Sequence, residues 1–304
     1  MNSIRIQIKK TEKIKAIINS LRIEEIIAIL FFIPMGIISV MFFGAEEYPK
    51  GTLERFLITL AVGCFALIFF WKRPTHWLRD FLPFLLCIAI YTNLHDTVYF
   101  INPHDADPTL IKIDKFLLGN HLGLYLEPVI SSWLTKWLSF NYSLYFIYPV
   151  TFGLILYFSK DKSKFRTFML TVVLTFYIGY FIYLLVPAVG PKVYLKQYLT
   201  INLQTGQFEE RLYNTFKIKA SHRRDAFPSL HNAIALLVLL FSWKYQKYVF
   251  YIVLPFVLSL MFATVYLRHH YLIDVLAGWL LALIMFYYVP KNTKSKIIAT
   301  EDAP

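Results

Sequence analysis

The chain has 304 residues, 57% of them hydrophobic and only 16% charged, with a mean hydropathy of +0.52 and a formal net charge of +12. Soluble domains carry roughly 25% charged residues, so a water-soluble globular core is excluded. The basic excess would also fit nucleic-acid binding. However, 18 of the 31 Lys and Arg residues lie in the terminal segments and short links that the predicted topology places in the cytoplasm, so we predict a membrane environment and no nucleic-acid partner.

Eight apolar segments predict an all-α fold, a polytopic bundle of about eight transmembrane helices. A helix needs about 20 apolar residues to cross a bilayer, so the two shortest segments must borrow flanking residues or tilt. In chain order the segments are 26–43, 56–71, 81–93, 141–158, 167–187, 231–243, 248–267 and 271–290.

The first segment follows a basic start, and we predict an uncleaved anchor. Its apolar stretch exceeds the roughly 7–15 residues of a signal peptide, and no small-x-small cleavage site follows it. We expect 1–25 to be a cytoplasmic segment, 26–290 a single membrane domain with its catalytic core at 80–290, and 291–304 a cytoplasmic tail. The bias of Lys and Arg in the short loops favours both termini in the cytoplasm.

Two long connections, 94–140 and 188–230, fall on the extracytoplasmic side in this topology. The part of the first from Leu122 to Phe140 is amphipathic and predicts a helix lying at the membrane interface. The second is rich in basic residues on a side where the charge rule does not favour them, which points to an anionic ligand.

A group of His and Asp residues in the first connection raises the alternative of a metal site, because imidazole and carboxylate are plausible ligands. The group lacks a tight spacing motif, so we predict no metal and a polar loop that helps to cover the site. Its members are His95, Asp96, His104, Asp105 and Asp107.

His270 and Asp274 are four residues apart, so they share one face of the predicted helix. A carboxylate inside an apolar span is costly and indicates a functional site. Asp274 is expected to accept a hydrogen bond from one ring nitrogen of His270, leaving the lone pair of the other free to attack. The alternative is a polar pair that only fixes helix packing.

His231 begins a predicted helix parallel to the one that carries Asp274, so His231 and His270 are expected at the same membrane depth. Helix amino termini favour bound phosphate, and a set of neighbouring polar residues would complete the site. That set is Ser229 as a hydroxyl donor and Lys192, Arg223, Arg224 and Arg268 as cations. The alternatives are an ordinary helix cap for Ser229 and solvated or lipid-contacting roles for the cations.

At these residues the chain resembles the membrane-bound type 2 phosphatidic acid phosphatase superfamily. Pro228, Ser229 and His231 match its Pro-Ser-x-His motif, and His270 with Asp274 matches its His-x-x-x-Asp motif. The stretches AFPSLH, HHYLID and VPAVGP and the 94–124 segment are most similar to the inositol phosphorylceramide synthase branch and its bacterial relatives.

The chain also departs from the superfamily pattern. The Lys-x6-Arg-Pro motif is missing before Pro228, where Lys192 is the nearest substitute, and Thr264 stands where an arginine is expected. These differences concern the phosphate clamp and favour the transferase branch.

The resemblance implies a metal-independent transfer of a phosphoryl group in two steps. His270 would form a phosphohistidine, stabilised by Asp274, and His231 would protonate the departing alkoxide. Ser229 and the cations would neutralise the phosphoryl oxygens. The expected function is an integral-membrane lipid phosphotransferase whose site faces the extracytoplasmic side and binds a phospholipid donor and a lipid acceptor, without a cofactor.

Two alternatives stay open. A lipid phosphate phosphatase would use the same residues with water as the acceptor. A transporter would need ionisable residues along a pathway through the membrane, whereas here they cluster at one predicted face.

Overall fold

The structure is a computed structural model that describes residues 21–45, 48, 51–71, 73, 76–201, 203 and 223–301. Within these ranges, the side chains of Trp71 and of residues 290–301 are not described. Every regular element in these ranges is helical, which confirms the all-α prediction. In chain order the helices are α1 (Ile23–Met41), α2 (Thr52–Trp71), α3 (Trp77–Ile101), α4 (Asp107–Leu118), α5 (Leu122–Tyr125), α6 (Ser132–Ser143), α7 (Ile147–Tyr157), α8 (Lys162–Leu185), α9 (Pro191–Tyr194), α10 (Leu230–Tyr245), α11 (Lys247–Tyr266) and α12 (Leu272–Glu301), with 3-10 turns at Glu127–Val129 and Lys196–Tyr198.

Within these ranges six helices are long and apolar enough to cross a membrane: α1, α2, α3, α8, α11 and the Leu272–Val289 part of α12. The apolar helices α7 and α10 are shorter. Together they account for the eight predicted spans, so the chain is a multi-pass membrane protein.

Two predicted spans have different bounds in the structure. The 81–93 segment lies inside α3, which continues to Ile101 because the polar side chains of His95, Asp96 and Thr97 are buried in the protein. The 141–158 segment is interrupted, since α6 ends at Ser143 and α7 begins at Ile147. The polarity of a residue in these segments therefore does not tell whether it faces lipid.

The amphipathic stretch at 122–140 is not one helix. Pro128 lies in a 3-10 turn after α5, and the Ser131 side chain accepts from the backbone N–H of Leu134 to begin α6. Helix α6 is amphipathic as expected, with Trp133 exposed on one face and Leu138 buried on the other. Its place at a membrane interface stays a prediction.

The chain divides into two compact units, Met1–Asn93 and Leu94–Pro304. In the first unit, the buried Arg79 at the start of α3 donates two hydrogen bonds to Glu25 of α1, at 3.1 and 2.9 Å. Both units contain long apolar helices, and the single membrane domain at 26–290 stays a prediction. The cytoplasmic segment predicted for 1–25 lies largely outside the described residues, and α12 continues into the predicted tail to Glu301.

Helix α10 is the centre of the second unit. It packs against α7, α8, α11 and α12, and most of its side chains are buried, including Ile234, Leu237 and Phe241. A helix surrounded by other helices need not match the thickness of the lipid, which accounts for its length of 16 residues. Its first turn is consequently held by neighbours on several sides.

Candidate active site

The two predicted motifs meet where α10 and α12 begin. Ser229, the residue before α10, donates its backbone N–H to the carbonyl oxygen of Asp274 at 2.9 Å. Nε2 of His270 lies 3.4 Å from Nδ1 of His231, although the two residues are 39 positions apart in the sequence. The expected pair of imidazoles is therefore assembled from two separate helix starts.

A glycine allows this close approach. Gly278, one turn after Asp274, faces the backbone of Ser229 and Ala233, and an added Cβ atom would overlap the carbonyl oxygen of Ser229. Because backbone atoms cannot move aside as a side chain does, α10 and α12 can approach this closely only at glycine.

His270 is held by a backbone oxygen as well as by its neighbouring acid. Its Nδ1 lies 2.8 Å from the carbonyl oxygen of Ala226 and 3.6 Å from Oδ2 of Asp274. A carbonyl oxygen only accepts hydrogen bonds, so Nδ1 carries the proton and the lone pair belongs to Nε2. The expected tautomer is therefore present, with Ala226 rather than Asp274 as the nearer partner.

Asp274 is fully buried and also fixes the start of its own helix. Its Oδ2 accepts from the backbone N–H of Tyr271 at 2.8 Å, the side-chain-to-backbone bond of a capping box. Its Oδ1 has no hydrogen-bond partner among the described residues. The side chain of Asp274 thus lies beside His270 and also shapes the turn that carries this imidazole.

Two tyrosine rings pack against His231. The ring of Tyr142 stacks on it with centroids 4.5 Å apart, and the ring of Tyr145 lies 4.1 Å away. Tyr142 also stacks on His269 at 4.5 Å. These contacts pack aromatic rings against the imidazole of His231 and limit the rotation of its side chain.

A cavity of about 560 Å³ opens in front of the two imidazoles. Of the predicted site residues, it is lined by His231, His270, Lys192, Arg223 and Arg268. Ser229, Arg224 and Asp274 are not among its lining residues. The remaining lining residues are Tyr142, Val189, Val193, Lys196, Leu199, Thr200, Ile201, Leu203, Asp225, Ala226 and His269.

The two neighbouring arginines have different surroundings. Arg223 lines the cavity, whereas Arg224 donates from Nε to Asp105 at 2.6 Å and lies 4.5 Å from the centre of the Tyr99 ring. They belong to a non-helical stretch, in which successive side chains can point to opposite sides. The predicted phosphate-binding role therefore fits the position of Arg223 and not that of Arg224.

Ser229 acts as a helix cap. Its Oγ accepts from the backbone N–H of Asn232 at 3.4 Å and from the Asn232 side chain at 3.1 Å. Because both lone pairs receive a donor, the hydroxyl proton can still be donated. The fully buried side chain lies behind the cavity wall.

Arg268 adopts a left-handed backbone conformation, with φ of 64°, just after α11. Its guanidinium donates to Glu127 at 2.9 Å and to the carbonyl oxygen of Ile201 at 2.7 Å, and its buried Nε has no partner among the described residues. Burial lowers the pKa of Arg268, and Glu127 opposes this effect. A hydrogen bond from Thr200 keeps the pKa of Glu127 below its usual value.

Thr264, which stands where the superfamily pattern has an arginine, joins the two motifs. Its carbonyl oxygen accepts from the backbone N–H groups of His269 and His270, at 3.0 and 3.1 Å. Its hydroxyl accepts from the side chain of Asn232 at 2.8 Å. The position thus connects α10 to the turn that carries His270.

Two carboxylates of α4 support the site, and the sequence reasoning did not assign these roles to them. Asp114 accepts from the backbone N–H groups of Leu272 and Ile273, both at 2.9 Å. Asp107 accepts from the N–H groups of Val189 and Gly190 and from the hydroxyl of Tyr271, at 2.8, 2.9 and 2.7 Å. Their spacing of seven residues places both on one face of α4, which is the only signal available in the sequence.

These bonds correct one expectation. The start of α12 was expected to offer its free N–H groups to phosphate, but Asp114 already occupies those of Leu272 and Ile273. At α10, the N–H of Asn232 is occupied by Ser229. Side chains rather than the amino terminus of α12 must bind an anion in the cavity.

Replacing Asp114 by alanine would leave two partly buried N–H groups without their acceptor. Each such loss costs about 1–3 kcal/mol, so we expect the free energy of unfolding to fall by about 2–6 kcal/mol. The activity should fall too, because the turn that carries His270 loosens. Thermal unfolding of the purified protein measures the first effect.

The matched control is Asp161→Ala. Asp161 also caps a helix, accepting from the backbone N–H of Ser163 at 3.0 Å, but its side chain is exposed. An exposed cap contributes about 0.5–1 kcal/mol. Equal losses of stability from the two substitutions would contradict the supporting role of Asp114.

The residues of the alternative metal site have separate partners. His95 lies 3.5 Å from Asp225, Asp105 pairs with Arg224, and Asp107 holds the 189–190 backbone. Across the ranges that the structure describes, no group of three or more His, Cys, Asp or Glu side chains is arranged to hold a metal ion.

Comparison with known proteins identifies one family model and several relatives with similar names. Residues 108–288 match the family model described as PAP2 superfamily. An inositol phosphorylceramide synthase of Candida albicans is 23% identical over 276 residues, which cover 84% of this chain and 58% of the relative. A phosphoinositol dihydroceramide synthase of Bacteroides thetaiotaomicron is 26% identical over 250 residues, covering 74% of this chain and 81% of the relative.

A third relative matches over a shorter stretch. The inositol phosphorylceramide synthase catalytic subunit of Saccharomyces cerevisiae is 34% identical over 89 residues, which cover 29% of this chain and 22% of the relative. The aligned part of this chain thus spans little more than half the length of the Candida relative. No solved structure is significantly similar to the chain.

Proposed function

The chain belongs to the PAP2 superfamily, and on that basis we propose that it is an integral-membrane phosphotransferase that moves a phosphate-linked head group from one lipid to another. The observation that carries this proposal is the 3.4 Å approach of His270 Nε2 to His231 Nδ1 beside a cationic cavity. Relatives named as synthases of inositol phosphorylceramide and of phosphoinositol dihydroceramide suggest phosphoinositol as the head group and a ceramide-type alcohol as the acceptor.

In the first step, the lone pair on Nε2 of His270 attacks the phosphorus of the donor phospholipid. The N–P bond forms while the bond between phosphorus and the oxygen of the diacylglycerol breaks. His231 gives its Nδ1 proton to that oxygen, so neutral diacylglycerol leaves. The Nδ1–H of His270 stays hydrogen-bonded to Ala226, and the Asp274 charge stabilises the positive ring.

In the second step, the hydroxyl of the acceptor lipid attacks the phosphohistidine. His231, now neutral, takes the hydroxyl proton as the O–P bond forms, and the N–P bond to His270 breaks. The head group has then moved to the acceptor, and both imidazoles have returned to their initial protonation states. Splitting the transfer in this way lets one pair of residues serve two different lipids.

Cations that line the cavity would stabilise the charge on the phosphoryl oxygens. Lys192 and Arg223 line it directly, and the free Nε–H of Arg268 is a buried donor beside it. Such donors are effective because they are positioned before the reaction begins. Ser229, which does not line the cavity, would support these groups as the cap of α10.

We further infer that both termini lie in the cytoplasm and that the cavity faces the extracytoplasmic side. Support comes from the excess of Lys and Arg in the predicted cytoplasmic links. A site beside apolar helices suits substrates whose acyl chains stay in the bilayer. The donor, the acceptor and the sidedness all belong to this proposal.

The alternative is a lipid phosphate phosphatase, in which water attacks the same phosphohistidine. Incubating the purified protein with phosphatidylinositol and with phosphatidic acid, each with and without ceramide, distinguishes the two. A transferase should form the phosphoinositol ceramide only when phosphatidylinositol and ceramide are both present. Stoichiometric release of free phosphate without an acceptor would contradict the transferase and support the phosphatase.

The transporter alternative predicts a different result for the His270→Ala variant. Lipid flux across reconstituted vesicles that survives the His270→Ala substitution, in a protein without transferase or phosphatase activity, would favour transport.

A further inference from the structure

One acidic side chain stands out in the cavity. Asp225 is the only Asp or Glu among the described residues that line it, whereas Lys192, Lys196, Arg223 and Arg268 supply four cations. A carboxylate opposes the binding of a phosphate in the same cavity. The presence of Asp225 among residues that suit an anion therefore indicates that it binds a group other than the phosphate.

The position of Asp225 is fixed closely. The next residue, Ala226, donates its N–H to the carbonyl oxygen of Ala188 at 3.0 Å and accepts from His270 through its own carbonyl oxygen at 2.8 Å. On its other side, Asp225 Oδ2 lies 3.5 Å from Nδ1 of His95, a buried residue of α3. The carboxylate is thus held one residue away from the group that orients the nucleophile.

A carboxylate offers about four acceptor sites, so Asp225 can accept from several donors at once. The groups that it can bind in a cationic cavity are neutral donors, because the four cations disfavour an amine or a quaternary ammonium. Hydroxyl groups are neutral donors, and a polyhydroxylated ring presents several of them in fixed directions. Such a ring would stay attached to the phosphorus after diacylglycerol has left.

We propose that Asp225 binds hydroxyl groups of a polyhydroxylated head group and so selects lipids that carry a polyol on the phosphate over simple lipid phosphates. This inference rests on the proposed function and deepens it. It assigns the cavity two parts: the cations and imidazoles hold the phosphoryl group, and Asp225, supported by His95, holds the ring.

The test compares two donors with the same leaving group. Phosphatidylinositol and phosphatidic acid both release diacylglycerol, and an ionisable oxygen in phosphatidic acid takes the place of the ring on the phosphorus. With purified full-length protein and ceramide as acceptor in mixed micelles, we expect Asp225→Ala to lower kcat/KM for phosphatidylinositol about thirtyfold, because hydrogen bonds to a charged group are lost. For phosphatidic acid the same variant should raise kcat/KM about threefold, because a repelling charge is removed.

Asp225→Asn, which keeps the size of the side chain, should change both values in the same directions by less. Asp161→Asn, which removes an exposed carboxylate elsewhere, should change neither. A fall of at least fivefold in the ratio of the two kcat/KM values for Asp225→Ala supports the proposal. A smaller fall, including a parallel loss with both lipids, contradicts it and indicates a purely structural role.

The wild-type protein separates failure of this inference from failure of the proposed function. Release of diacylglycerol from neither lipid would overturn the proposed function and this inference with it. Release from phosphatidic acid alone would overturn the inference and support the phosphatase. Release from phosphatidylinositol with an unchanged ratio in the variant would overturn the inference alone.

Discussion

A His270→Ala protein is expected to lose at least about a thousandfold in kcat, the scale found when a covalent nucleophile is removed. Nε2 of His270 is oriented toward His231 by the hydrogen bond that its Nδ1 makes to Ala226. Diacylglycerol release from phosphatidylinositol measures the loss, and labelling with donor phosphate should yield an acid-labile adduct only in the wild-type protein.

The matched control is His104→Ala. His104 is an exposed histidine of the predicted polar loop and does not line the cavity, so this substitution should leave both turnover and labelling unchanged. Activity above a tenth of the wild-type value in His270→Ala would contradict the role of His270 as nucleophile. An adduct that persists in this variant would place the covalent step on another residue.

Replacing Gly278 by alanine should lower the activity at least about a hundredfold, although Gly278 touches no substrate. The added methyl group would overlap the carbonyl oxygen of Ser229, so the starts of α10 and α12 must separate. A displacement of about 1 Å at reacting groups can cost about a hundredfold in rate. The expected loss appears in kcat for phosphatidylinositol and for phosphatidic acid alike, because the distance between the imidazoles governs both.

Gly63→Ala is the matched control. Gly63 lies within α2, and an added Cβ there would meet only the side chain of Leu86 at 3.5 Å, an ordinary contact. We expect wild-type activity and unchanged thermal stability from this variant. A Gly278→Ala protein with wild-type turnover would show that the close approach of the two backbones is not needed for the chemistry.

The fold class was predictable because membrane helices require long apolar segments, and such segments are visible in the sequence. The bounds of α3 were not, because His95, Asp96 and Thr97 continue an apolar helix with polar residues that are buried. The break between Ser143 and Ile147 was also not apparent. Hydropathy reports the composition of a segment and carries little information about which neighbours surround it.

The meeting of His231 and His270 followed from two short motifs at parallel helix starts. Their supporting residues could not be found in this way, since Asp114 is 158 positions from Leu272 and 159 from Ile273. The different surroundings of Arg223 and Arg224 depend on the path of a non-helical stretch, and the adjacent residues in the sequence do not specify that path. Local patterns identify reactive groups, whereas the groups that hold them come from distant segments.

The hydrogen bonds of α4 bear on how the chain can be shortened. The family match begins at residue 108, one position after Asp107, which accepts three hydrogen bonds from residues 189, 190 and 271. A truncation that starts there would retain every residue of both motifs and still lose an anchor for the turn before α12. We therefore expect an active fragment to need a start upstream of His95, which contacts Asp225.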